Sequence, residues 1–147
     1  MTFNRIIVLS FVFLIFGACS SGPATVGELK GFDAVCDKTN DGKRIAVEGY
    51  LRFPKDFTGT DSIVLRLYKA ADATGTPIGV QTIVGAQANQ MELPPSRYTE
   101  KDLQVHLVDG QVAGAETKVR VSGKVYYPIV GQDFTCGLEN PLIESAK

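Results

Sequence analysis

The chain has no tryptophan, one histidine, two methionines and three cysteines among 147 residues. With a single histidine and no cluster of ligand side chains, a metal site is not expected. No Cys-x-x-Cys pair occurs, which removes the usual dithiol redox motif. A phosphate-binding glycine loop and a serine nucleophile elbow are also missing. Asp37, Asp41 and Asp61 lie in loops without calcium-loop spacing. Positive charge is not in excess: 15 Lys and Arg face 16 Asp and Glu, for a formal charge of −1. Proteins that neutralise phosphates carry a basic surplus, so nucleic acid is a poor partner. No stretch longer than a dozen residues has a convincing helical period, which argues against helical and α/β folds. What remains is a globular composition, 44% hydrophobic and 21% charged, long enough for one domain with its own core.

The first 18 residues read as a targeting segment. Arg5 supplies the positive start, and Ile6 to Phe16 form an apolar run broken only by Ser10. A run of about 11 residues is too short to span a bilayer but suits the core of a signal peptide. It ends in Phe16-Gly17-Ala18-Cys19 and is followed by Ser20-Ser21-Gly22-Pro23. Gly17, Ala18 and Cys19 resemble the lipobox of bacterial lipoproteins, with Phe16 in place of the usual Leu. The resemblance implies lipid attachment at Cys19, with palmitate-like acyl chains as a membrane anchor. It also implies an extracytoplasmic address, and Ser20 rather than Asp after the cysteine favours the outer membrane where a second membrane exists. The competing reading is ordinary cleavage after Ser20. On the lipoprotein reading residues 1–18 are the signal, 19–29 a lipidated tether and 30–147 a single domain.

Two cysteines then remain, Cys36 and Cys136. An even pair in an oxidising space predicts a disulfide, the alternative being two buried thiols.

Within residues 25–36, the Thr25-Val26-Gly27-Glu28 capping-box spacing and the recurrence of Val26, Leu29, Phe32 and Cys36 suggest a short helix. After the Asn40-Asp41-Gly42 turn the period becomes two. Ile45, Val47, Gly49 and Leu51 alternate with Arg44, Ala46, Glu48, Tyr50 and Arg52, and Pro54 ends the strand. Ile63, Leu65 and Leu67 form a second strand pattern, and Ile78, Val80, Thr82 and Val84 a third. Residues 85–97 read as a connection, Thr99 to Asp102 as a helical turn, and 103–108 as another strand ending in the Asp109-Gly110 hairpin turn. Val119, Val121, Gly123, Val125 and Tyr127 continue the alternation, and the tail 134–145 supplies a last strand.

One internal echo stands out. Arg44 to Pro54 and Lys118 to Pro128 share a pattern: a basic residue, alternating aliphatics with one inward glycine, an aromatic and a proline. An inward glycine permits the sharp bend or close backbone approach of a barrel corner. This pattern resembles the OB-fold, the five-stranded Greek-key barrel, over roughly residues 43–145. The expected fold class is therefore all-β: a small OB-fold-like antiparallel barrel of five to six strands with few short helical turns. A small β-sandwich is the rival.

His106, between Val105 and Leu107, faces away from the aliphatics, and no partner for general-base chemistry is evident. The expectation is a non-enzyme without cofactor. The outward strand face, with Tyr50, Arg52, Arg66, Tyr68, Arg120, Lys124 and Tyr126, interleaves rings and cations and is the candidate ligand face. Such residues are also ordinary cross-strand partners on an exposed sheet. The functional expectation is a membrane-anchored binding or structural adaptor of the cell envelope, meeting the membrane through its lipid and an envelope protein or glycan through its barrel. The alternative is an extracytoplasmic enzyme or enzyme inhibitor acting on cell-wall polymers.

Overall fold

The computed structural model describes residues 23–57 and 59–147; the signal and Cys19 lie outside them. Among the described residues nine strands follow in chain order: β1 (Glu28–Leu29), β2 (Arg44–Arg52), β3 (Ser62–Tyr68), β4 (Ile78–Val84), β5 (Gln90–Met91), β6 (Val105–His106), β7 (Val112–Ala113), β8 (Lys118–Tyr126) and β9 (Gly137–Ser145). Helix among the described residues is limited to 3-10 turns at Phe32–Ala34, Lys38–Asn40 and Glu100–Asp102.

Five of these strands close a ring. β2 pairs with β3, β3 with β4, β4 with β9, β9 with β8, and β8 with β2 again. The expected all-β, OB-like barrel is therefore present, and the β-sandwich is not. Two details differ. An odd number of strands cannot alternate direction all the way round a ring, so one junction must be parallel; here it is β4 with β9. The strand expected at 103–108 shrinks to β6, which pairs with β5 and β7 outside the ring.

The alternating aliphatics point inward as the period of two dictates. Ile45, Val47, Leu51, Leu65, Leu67, Val80, Val119, Val121, Leu138 and Ile143 are all buried. Each such side chain contributes about 1.5–3 kcal/mol relative to exposure. The two echoed segments are neighbours, paired antiparallel as β2 and β8. Both inward glycines are used for close approach. A Cβ on Gly49 would strike the Tyr68 carbonyl oxygen, and one on Gly123 would stand 2.7 Å from Leu138 Cβ.

The parallel junction is short. β4 and β9 meet at Gly79–Gly137 and Val80–Leu138 only. Beyond that the seam is filled by the 85–117 connection. β5 pairs with the end of β4. Asn89 Oδ1 accepts the Ile143 N–H at 2.7 Å, Val108 N–H donates to the Ile143 carbonyl at 3.0 Å, and Thr82 Oγ1 donates to the Asn89 carbonyl at 2.6 Å. A side-chain amide thus satisfies a β9 backbone donor on the side away from β8, beyond the reach of the β4 pairing. Met91, Leu103, Val105 and Leu107 from this connection are fully buried in the barrel core.

The helix suggested for 25–36 does not form. Glu28 and Leu29 pair parallel to Ile45 and Ala46 instead, and Gly27 lies so close to the Ile45 backbone that a Cβ could not be placed. The chain before it crosses the outer side of the sheet, where Arg44 donates from Nε to the Thr25 carbonyl and from Nη2 to the Ser122 carbonyl. Cys36 and Cys136 form a disulfide across a separation of 100 residues, tying the first 3-10 turn to the entry of β9. Closing a loop of that length restricts the unfolded chain by about 4.7 kcal/mol on the chain-entropy model.

Candidate functional site

The outward strand face expected to bind ligand is divided by the structure into parts with different roles. Its centre is a charge ladder. Glu48 accepts from Lys118 Nζ at 2.9 Å and from Arg120 Nη2 at 2.7 Å, and Arg120 also lies 3.8 Å from Glu144. These donors, Arg120 first, hold the Glu48 carboxyl below the usual range. Lys124 pairs with Glu139 at 3.2 Å. Tyr126 is half-buried beneath Gly137, where a Cβ would collide with its ring, and burial raises its phenol pKa.

Arg66 departs furthest from the expectation. It points out of the barrel, but the 127–136 loop covers it and its residue exposure is only 7%. Its guanidinium donates to Asp133 and to the Val64 carbonyl and lies 4.7 Å from the centre of the Phe134 ring. Phe134 in turn packs on Gly79, where any side chain would displace it. The sequence pattern gives the direction of Arg66 correctly; it cannot show that a loop far along the chain folds back over it.

Two of the seven residues, Arg52 and Tyr68, come together with others at the end of β2. Arg52 is held by backbone carbonyls from three segments: Leu51, Ala71 and Ala115. Together with Glu100 it lines both halves of an open cleft. One half, of about 370 Å3, is lined by Arg52, Glu100, Lys101 and residues 114–117, Glu116 among them. The other, of about 430 Å3, is lined by Arg52, Phe53, Lys55, Tyr68, Tyr98 and Glu100 among others. Tyr50 stands opposite Tyr68 across the β2–β3 ladder.

Local chemistry fixes these walls. Thr99 and Asp102 form a reciprocal capping box that starts the 100–102 turn. That turn aims Glu100 Oε2 at the Phe53 N–H, 3.2 Å away, joining the two walls. Tyr98 packs on Phe53 with ring centres 4.7 Å apart and meets Phe57 edge-on at 6.2 Å. Among the described residues, Arg52, Lys55 and Lys101 have no carboxylate within ion-pair distance, in contrast to the paired cations of the strand face.

Comparison with protein-family models, with curated proteins and with solved structures finds no match for this chain.

His106 has a partner that sequence reasoning did not supply. Its Nε2 lies 2.8 Å from Glu92 Oε1, with the imidazole about one-fifth exposed. Neither residue lines either half of the Arg52 cleft. Lys55, Tyr98, Glu100 and Lys101 were also missed as site residues. The Thr99–Asp102 spacing marks a helical turn, but nothing local to it indicates that the turn abuts the end of β2.

Proposed function

We propose that this is a lipid-anchored, extracytoplasmic, non-catalytic adaptor whose barrel holds a glycan or an envelope protein in the Arg52 cleft. The observation that carries the reading is the composition of that cleft: the partly buried aromatic residues Tyr68 and Tyr98 stand beside Arg52, Lys55 and Lys101, none of which has a carboxylate within ion-pair distance among the described residues, and Glu100 lines both halves with them. Rings of this kind cover apolar sugar faces or side chains, and the cations and backbone groups supply polar contacts. The pairing of Arg120, Lys118 and Lys124 with carboxylates leaves the strand face poorly suited to phosphate backbones and favours the cleft over that face.

The leader and lipobox residues around Cys19 support membrane anchoring, and the Cys36–Cys136 disulfide agrees with an oxidising compartment. A resemblance in barrel topology carries no ligand with it, because OB-like barrels serve many. The test is affinity capture from envelope extracts with the membrane-extracted protein, comparing wild type with a Tyr68→Ala, Lys101→Ala double variant, and mass spectrometry of the N-terminal peptide. A species held by wild type and lost by the variant, together with an acylated Cys19, is the expected result. Equal capture by both proteins rejects the cleft, and an unmodified Cys19 rejects the anchor.

A further inference from the structure

The most exposed aliphatic pair among the described residues is Ile129 and Val130, 91% and 101% exposed, in the loop between β8 and β9. An isolated apolar side chain at a surface needs no explanation. Two in succession, on a loop whose stems are both fastened, are a different matter.

On one stem Tyr127 donates its hydroxyl to the Cys36 carbonyl at 2.9 Å. On the other, Asp133 pairs with Arg66 at 2.6 Å, Phe134 sits on Gly79 of β4, and Cys136 is locked by the disulfide. The fold therefore spends a buried arginine, an aromatic ring and a covalent bond on a loop that displays two aliphatics to solvent.

The placement of Pro23 and Ala24 bears on what meets them. Pro23 and Ala24 lie in a groove with Gln81 and Ile83 of β4 and with Asn140 and Pro141 of β9. Pro23 and Ala24 thus lie beside the end of β4, next to β9. Phe134, at the foot of the apolar loop, covers the outer side of the same strand four residues earlier, at Gly79. Ile83 itself is 58% exposed. Cys19 precedes Pro23 by four residues, which span at most about 14 Å. A lipid on Cys19 would hold the β4 side close to the bilayer. None of the residues lining the Arg52 cleft belongs to β4 or to the 127–136 loop.

We infer that the exposed pair Ile129 and Val130, together with the outer side of β4, forms a second membrane contact that dips into the lipid interface and fixes the orientation of the anchored domain. The bilayer is the occupant of this surface, and the inference rests on the anchoring reading above. Apolar side chains at the end of a tethered domain add interfacial burial to the acyl anchor, as the pairing of two weak membrane signals does elsewhere.

The chain has no tryptophan, so one can be introduced as a unique reporter. Full-length acylated protein carrying Val130→Trp is reconstituted into phosphatidylethanolamine–phosphatidylglycerol vesicles, with Lys101→Trp in the cleft as the optical control. The expected result is a blue-shifted Val130→Trp emission that brominated lipid quenches and aqueous iodide does not, with the opposite pattern for Lys101→Trp. Iodide quenching of both reporters on a protein whose Cys19 is acylated overturns the membrane contact while leaving the anchor standing. Absence of acyl on Cys19 in the same sample overturns the anchor and this inference together.

Discussion

Val47 and Val121 face each other at the centre of the β2–β8 ladder, and the two echoed segments are related about that pair by a local two-fold: Ile45 lies opposite Gly123, and Gly49 lies opposite Val119. Each strand therefore places its glycine where its partner places a β-branched residue. The echo is not a decorative repeat. It is the self-complementary pattern that lets two bent strands with the same sequence logic lie against each other.

This arrangement predicts the cost of filling either glycine. Gly49→Ala drives a methyl into the Tyr68 carbonyl, a backbone atom, and Gly123→Ala drives one against Leu138. Each should cost about 1–3 kcal/mol, as overpacking does, with Gly49 the more severe. Gly31→Ala, with φ of −63° and open space around it, should change stability little. Urea unfolding of the oxidised proteins ranks the three.

The seam between β4 and β9 gives a second prediction. Asn89 has φ of 65° and supplies the acceptor for Ile143 N–H. Asn89→Gly keeps the backbone conformation and loses the hydrogen bond. Asn89→Ala loses both the bond and the tolerance for a left-handed backbone. The glycine variant should lose about 1–2 kcal/mol for the unsatisfied donor, and the alanine variant should lose roughly 1 kcal/mol more. Faster amide exchange at Ile143 in both variants would report the broken bond directly.

The Arg66–Asp133 pair makes stability depend on pH. Hydrogen bonding from Arg66, aided by its charge, lowers the Asp133 pKa in the folded chain. A carboxylate with a depressed folded pKa contributes stability above its unfolded value, about 3.9, and that contribution fades as pH falls through the folded value. Asp133→Asn should therefore flatten the acid limb of the stability profile below about pH 4. It should also loosen the 127–136 loop at neutral pH, because Arg66 stays buried without its counter-charge. Thermal unfolding across acid pH, with wild type and variant side by side, measures both effects.

The disulfide yields the largest single loss. Replacing Cys36 and Cys136 together by serine should cost about 2–5 kcal/mol. Most of the effect should appear as a lower urea midpoint, with the same folded far-UV spectrum, since the barrel ladders do not pass through the bond.

How far the sequence carries can be judged from particular residues. Period-two alternation marks the strands whose inner face is core, so Ile45 to Leu51 and Val119 to Val125 are legible, and the glycine in each shows that they bend. The Asp109-Gly110 turn is legible because Gly110 takes the left-handed conformation such hairpins require. The fate of Arg66 is not, because alternation reports direction and not what lies in that direction. The helix suggested for 25–36 fails for a related reason: Gly27 sits against the Ile45 backbone, a tertiary constraint with no local trace. Of the site, Arg52 and Tyr68 can be picked from the strand face, whereas Lys55, Tyr98 and Lys101 arrive from connections whose path only the closed barrel defines.

The position of β9 in the ring carries a consequence for biogenesis. It is the last barrel strand to be made, yet it fits between β8 and β4, two strands that precede it. A growing or threading polypeptide can assemble hairpins early, but the ring has no closing member until residues 137–145 arrive, and Cys36 lacks its native partner, Cys136, until just before then. Acquisition of the native state is consequently a terminal event, with the ring open and its covalent tie unmade until the keystone strand arrives.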